Sequence, residues 1–246
     1  MANFAVELKG GIYFFYRPKV AHEEVHSLDD VQRFLVVLKP EGLERYSTLI
    51  VGKKHLPKDQ EGYFAFVDGV ADSIDTLVKS LGEELYATAT RGARKLPEVR
   101  CIGEGKFMII RHENHTHLMY QLAKPTKIGQ VQQAFNLALK DDFIITVKNP
   151  NKPSPPHAGL SSHQKAAFSK ELAAKFDDYR FIPLIPADFI DYEGAEILLL
   201  SKAASRLEED KASRCLEEIQ EKDILPTLEA IIDTQSIAPI IDRRWV

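Results

Sequence analysis

The densest run of chemistry-bearing side chains is His112-Glu113-Asn114-His115-Thr116-His117, set between the apolar stretches Phe107 to Ile110 and Leu118 to Tyr120. This pattern predicts a β-hairpin. A two-residue turn at Glu113-Asn114 pairs His112 with His115, Ile110 with His117 and Ile109 with Leu118. Cross-strand partners share a face and successive residues alternate. All three imidazoles then lie on one side, and Phe107, Ile109, Leu118 and Tyr120 form a core face on the other. A turn one residue longer separates them. Asn114 tolerates the positive φ such a turn demands, whereas Glu113 at the first central position is unfavoured.

Three imidazoles on one face can ligate a divalent metal such as zinc while leaving a coordination position for water. His157 or His163 would be a fourth ligand. The same rings can act as catalytic proton donors and acceptors. The plain alternative is a hairpin tip whose exposed histidines have no special role.

A second candidate is Arg91-Gly92-Ala93-Arg94-Lys95, where two arginines flank a glycine. A guanidinium fork binds two phosphate oxygens at once, and glycine lets the backbone approach the same anion. Arg111 and Lys148, at the ends of expected strands, extend this anion-binding set, and Arg17 and Lys19 are further candidates. The plain reading is a solvated turn. Charge is unevenly distributed: residues 1–90 hold 10 Lys+Arg against 14 Asp+Glu, residues 91–175 hold 14 against 6, and residues 176–246 hold 8 against 16. A basic middle segment fits a phosphate-bearing ligand or a nucleic acid; it fits equally well pairing with the acidic ends inside one fold.

Several devices are absent. Gly103-Glu104-Gly105-Lys106-Phe107 fails as a phosphate loop, because Arg100 stands where the first glycine belongs and Phe107 replaces Ser/Thr. GxGxxG, GxSxG and HExxH do not occur. The two cysteines, Cys101 and Cys215, have no zinc or redox spacing and read as free thiols of a reducing compartment. No apolar run approaches the roughly 20 residues that span a bilayer, and the N-terminus lacks the layout of a secretory leader. A cytoplasmic protein without a membrane segment is expected.

These groups must be held by elements the hydrophobic pattern reveals. Strands are expected at Phe4–Leu8, Ile12–Tyr16, Phe34–Leu38, Thr48–Val51, Tyr63–Val67, Leu85–Thr90, Phe107–His112, Thr116–Leu122, Phe143–Val147 and Glu196–Ser201. Ser27 to Asp30 resembles a capping box opening a short helix. Ser73 caps a helix through Leu81 that ends at a left-handed Gly82, a helix runs from Gly129 to Ala138, and Ser161 with Gln164 opens one carrying Phe168, Leu172 and Phe176. The prolines between Lys148 and Pro156 mark a surface connection with a PxxP that could dock an aromatic groove. Beyond residue 201 an acidic amphipathic tail places Ala204, Leu207, Ala212, Cys215, Leu216 and Ile219 on one helical face. Pro226 interrupts it.

The expectation is an α+β fold: a mostly antiparallel sheet core over residues 1–201 in two β-rich halves, 1–90 and 91–201, followed by a helical C-terminal extension, 202–246. Two readings of function follow. In the first, Arg91, Arg94, Lys95, Arg111 and Lys148 hold a phosphate-bearing ligand or nucleic acid while His112, His115 and His117 act as catalytic groups or metal ligands, a metal-dependent hydrolase being one form of this. In the second, the chain is a non-enzymatic interaction module that meets a protein partner, or a second copy of itself, through the proline-rich loop and the acidic helices.

Overall fold

Apolar residues on both faces of a strand require cover on both sides, and the first strand is built that way. The two expected segments merge into β1 (Phe4–Pro18). Ile12, Phe14 and Tyr16 enter one buried cluster, and Tyr13 and Phe15 enter a second on the opposite face. The computed structural model describes residues 4–20, 24–88, 92–154, 159–161, 163–201 and 234–245.

β1 pairs antiparallel with β2 (Val31–Pro40) along one edge and with β7 (Arg100–His112) along the other. From β2 the chain meanders through β3 (Tyr46–Val51) to β4 (Gly62–Ala71). A second meander runs from β7 through β8 (His115–Lys124) to β9 (Lys140–Lys148). Each meander alone would leave bare edges of unpaired backbone groups. β7 closes onto β1, and β11 (Glu196–Ser201) inserts between β9 and β4. The result is a closed eight-stranded antiparallel barrel in the order β1-β2-β3-β4-β11-β9-β8-β7. A short β10 (Phe181–Pro183) continues along β9 where β8 has ended.

This corrects the α+β expectation. The protein is mostly β, its two meanders are halves of one barrel, and among the described residues its helices are few and short: α1 (Ile74–Leu81), α2 (Gln130–Ala134), α3 (Lys170–Ala174) and α4 (Thr234–Asp242). Gly10 in β1 and Gly105 in β7, the latter at a shift in the β7–β8 register, lie against the backbone at Lys39 and Gln121, too close for a Cβ.

Local signals mostly act as their chemistry predicts. Ser73 Oγ accepts from Thr76 N–H at 3.3 Å to cap α1, but Gly82 ends the helix extended, with φ −66°. Ser27 and Asp30 form the expected capping box around a single 3-10 turn, Leu28–Asp30. The helix expected from Ser161 begins later: Ser169 is the cap, and Phe168 packs from outside α3 against Phe176 and Phe189.

The barrel interior is filled. An aromatic column runs from Phe143 through Tyr120, Phe14 and Phe34 to Phe135, with neighbouring ring centres 4.9–6.3 Å apart. Trp245 closes that end, its ring 5.6 Å from both Tyr16 and Phe135. Among Ile12, Val36, Leu49, Leu118 and Leu199 remains an apolar void of about 20 Å³. That is room for about one water and offers it no polar wall. On the outside, α1 and α4 bring Leu77, Leu81 and Ile240 against Tyr13, Phe15, Leu35, Val37 and Cys101. The end of the expected extension thus docks on its own barrel. The residues singled out between 204 and 231, Cys215 among them, lie outside the described residues. Among the described residues no helix is long and apolar enough to cross a membrane.

Candidate functional site

The histidine hairpin forms in the predicted register. His112 pairs with His115, Ile110 with His117, Ile109 with Leu118 and Phe107 with Tyr120. Phe107, Ile109, Leu118 and Tyr120 point into the barrel, so the three imidazoles share its outer face. The turn uses the less favoured residue for its positive φ: Glu113 takes 53°.

Sharing a face does not bring the three rings together. His115 is exposed, His112 half-buried and His117 only 2% exposed. The ring centres of His112 and His117 are 6.2 Å apart. Among the described residues, no three His, Cys, Asp or Glu side chains are placed to share a metal ion. His163 is exposed in a turn, and His157 lies outside the described residues.

His117 has a partner that sequence reasoning missed. Its Nδ1 lies 3.0 Å from Asp142 Oδ1, and both side chains are buried. β9 pairs with β8 so that Asp142 faces Met119 and Ile144 faces His117, which places the carboxylate beside the ring on the outer face. Asp142 immediately precedes the apolar run Phe143 to Val147, and alternation from inward Phe143 turns it outward. The other oxygen, Oδ2, is buried without a hydrogen-bond partner.

The candidate anion ligands disperse. Lys148 is fully buried: its Nζ lies 2.8 Å from Glu196 Oε2 and donates to the Lys152 and Asn149 carbonyls at 2.9 and 3.3 Å. Glu196 Oε1 accepts from Ser154 Oγ and Leu160 N–H at 3.2 and 3.0 Å. This pair straps the proline-containing connection to the barrel and offers no charge to a ligand. Arg111 pairs with Glu7 at 3.3 Å and Lys95 with Glu83 at 2.6 Å. Arg94 faces Tyr86 across a separate hairpin, β5 (Glu84–Thr88) and β6 (Gly92–Leu96). Arg91 lies outside the described residues. The length of β7 between Arg100 and Arg111, about 35 Å at 3.2–3.4 Å per residue, separates that hairpin from Arg111, far more than one phosphate spans.

Arg17 has an architectural task. Its guanidinium donates to the carbonyls of Ser80, Leu81 and Gly82 at the end of α1 and of Pro97 after β6, at 2.6–3.2 Å. Val99 N–H donates to Leu81 O at 3.0 Å. Together these clamp both ends of the β5–β6 excursion. Elsewhere, Asp191 pairs with Arg45 at 2.8 Å and receives Ser47 Oγ at 3.5 Å; burial, reinforced by Asp188, nevertheless pushes its carboxyl up to about 6. The Cys101 thiol is free, buried and pushed upward by desolvation, the environment of an inert thiol.

Comparisons with protein-family models, curated proteins and solved structures find no match.

Proposed function

We propose that the protein is a non-catalytic interaction module and that the β5–β6 hairpin is its contact arm for a protein partner. The observation that carries this reading is the hairpin itself. It forms a two-stranded sheet apart from the barrel, and such ribbons have little stability of their own in water. Its register puts Leu85, Ala87, Ala93 and Lys95 on one face, with Leu85 75% exposed. The small residues allow close approach, and Leu85 is an apolar anchor of the kind that marks contact sites. Arg17 fixes the root, so the arm meets its partner with less ordering left to lose. A protein partner with an exposed apolar strip matches Leu85 and the small Ala87 and Ala93 on the same face. The filled lumen and the dispersed cations, of which Lys95, Arg111 and Lys148 are already paired, favour this over a phosphate or nucleic-acid site.

A photo-crosslinking residue at position 85, introduced in the native host, tests the assignment. The expected result is a discrete protein adduct that is absent when the crosslinker sits at Leu43, an exposed site away from the hairpin, and that diminishes in Arg17→Ala. Equal labelling at both positions, or crosslinking only to nucleic acid, overturns it.

A further inference from the structure

We propose that His117 and His112 form a two-imidazole binding site for a divalent transition cation of the Zn²⁺ class on the outer face of the barrel, with Asp142 behind His117 as the carboxylate that orients it. The site lies at the opposite end of β7 from the β5–β6 arm and stands independently of the interaction reading.

Three observations carry the proposal. First, His117 Nδ1 is 3.0 Å from Asp142 Oδ1. A carboxylate accepts, so the proton belongs on Nδ1 and the Nε2 lone pair is left for an electrophile. Metal-binding histidines are commonly held in this way, their other ring nitrogen donating to a carboxylate that fixes the ring and raises its basicity. Second, Asp142 is 3% exposed and its Oδ2 has no hydrogen-bond partner. A buried carboxylate with one oxygen unsatisfied is stabilised by positive charge close by. A cation on Nε2 supplies it through the ring. Third, the second imidazole is close by. Two ring nitrogens on one tetrahedral ion at about 2.0–2.1 Å hold their ring centres about 5 Å apart; those of His117 and His112 are 6.2 Å apart, so closing the site takes an inward shift of about 1 Å by the half-buried His112 ring. Half-buried His112 provides the solvent side, where water completes the coordination. His115 faces His112 across the strands but does not converge with the other two.

The rival explanation is a plain ion pair, in which a proton on Nε2 supplies the charge and no metal is needed. Zn²⁺ titration of the full chain by calorimetry separates the two, with Cu²⁺ electron paramagnetic resonance as a direct count of nitrogen ligands. The expected result is one ion per chain and a spectrum with two imidazole nitrogens. His112→Ala, at a half-exposed position that the fold tolerates, should abolish the two-nitrogen spectrum, and Asp142→Asn should weaken binding about 10- to 100-fold. His115→Ala should leave the affinity within a few-fold. Absence of stoichiometric binding by the unmodified chain, or binding that survives His112→Ala unchanged, overturns the proposal in favour of the ion pair.

Discussion

Lys148 and Glu196 give the sharpest test of how the barrel is held. Their side chains are 0% and 1% exposed, and every oxygen and ammonium proton has a nearby protein partner. Lys148→Met leaves Glu196 as an uncompensated buried charge, which costs about 3–5 kcal/mol. For a chain of this length, about 2–4 °C per kcal/mol converts that into a fall in melting temperature on the order of 10 °C. Glu196→Leu strands the ammonium and should cost a similar amount. In the double variant Lys148→Met/Glu196→Leu both charges are gone, and only Ser154 Oγ, Leu160 N–H and the two carbonyls lose partners at the edge of a loop. The double variant should therefore be less destabilised than the sum of the singles, with a coupling of about 2 kcal/mol or more. Urea unfolding of the four proteins measures this cycle. Additive losses below about 1 kcal/mol, the size found for solvated pairs, would refute the claim that this pair is a buried strap, and would return Lys148 to the list of ligand-facing cations.

Asp191 should give folding a distinct pH dependence. Its folded value of about 6 exceeds the ordinary carboxylate value of 3.8, so the folded state retains a proton that the unfolded chain has lost. That stabilisation is complete below pH ~4 and disappears as pH rises through ~6. Melting curves of the wild type and Asp191→Asn should diverge over that window, and parallel curves would sink the assignment. At the hairpin tip, Glu113 holds φ at 53°, a conformation costing an L-residue about 1–2 kcal/mol. Glycine avoids that cost but gives back roughly half in chain entropy, so Glu113→Gly should raise the urea midpoint slightly; a lower midpoint would contradict the turn geometry.

What the sequence disclosed and what it hid follow the range of the interactions involved. The histidine hairpin was legible because a two-residue turn sets register by itself. Ser73 and Ser27 were legible because a cap acts within three residues. β6 was not, since Gly-Ala-Arg-Lys-Leu lacks apolar alternation and becomes a strand only by pairing with β5. Asp142 was hidden because the pairing of β9 with β8 depends on the excursion through α2. Lys148 looked like a free cation because its counterion is 48 residues away. The α+β expectation failed for the same reason. The barrel strands and their meanders are local and were found, but closure rests on β7 with β1 and β11 with β4, partners that no window of sequence contains.

The position of β11 also dictates an order of assembly. As the chain is synthesised, β1 to β4 can pair as a ribbon, yet the outer edge of β1 must wait for β7 and that of β4 for Glu196–Ser201, late in the chain. Until then two rows of backbone donors and acceptors stand open beside some of the most apolar strands in the molecule, a combination that invites pairing with other nascent chains. Folding dominated by such distant contacts is slow. A polypeptide truncated anywhere before residue 196 would therefore be an open sheet with its lumen exposed to water, at least one strand short of the closed barrel.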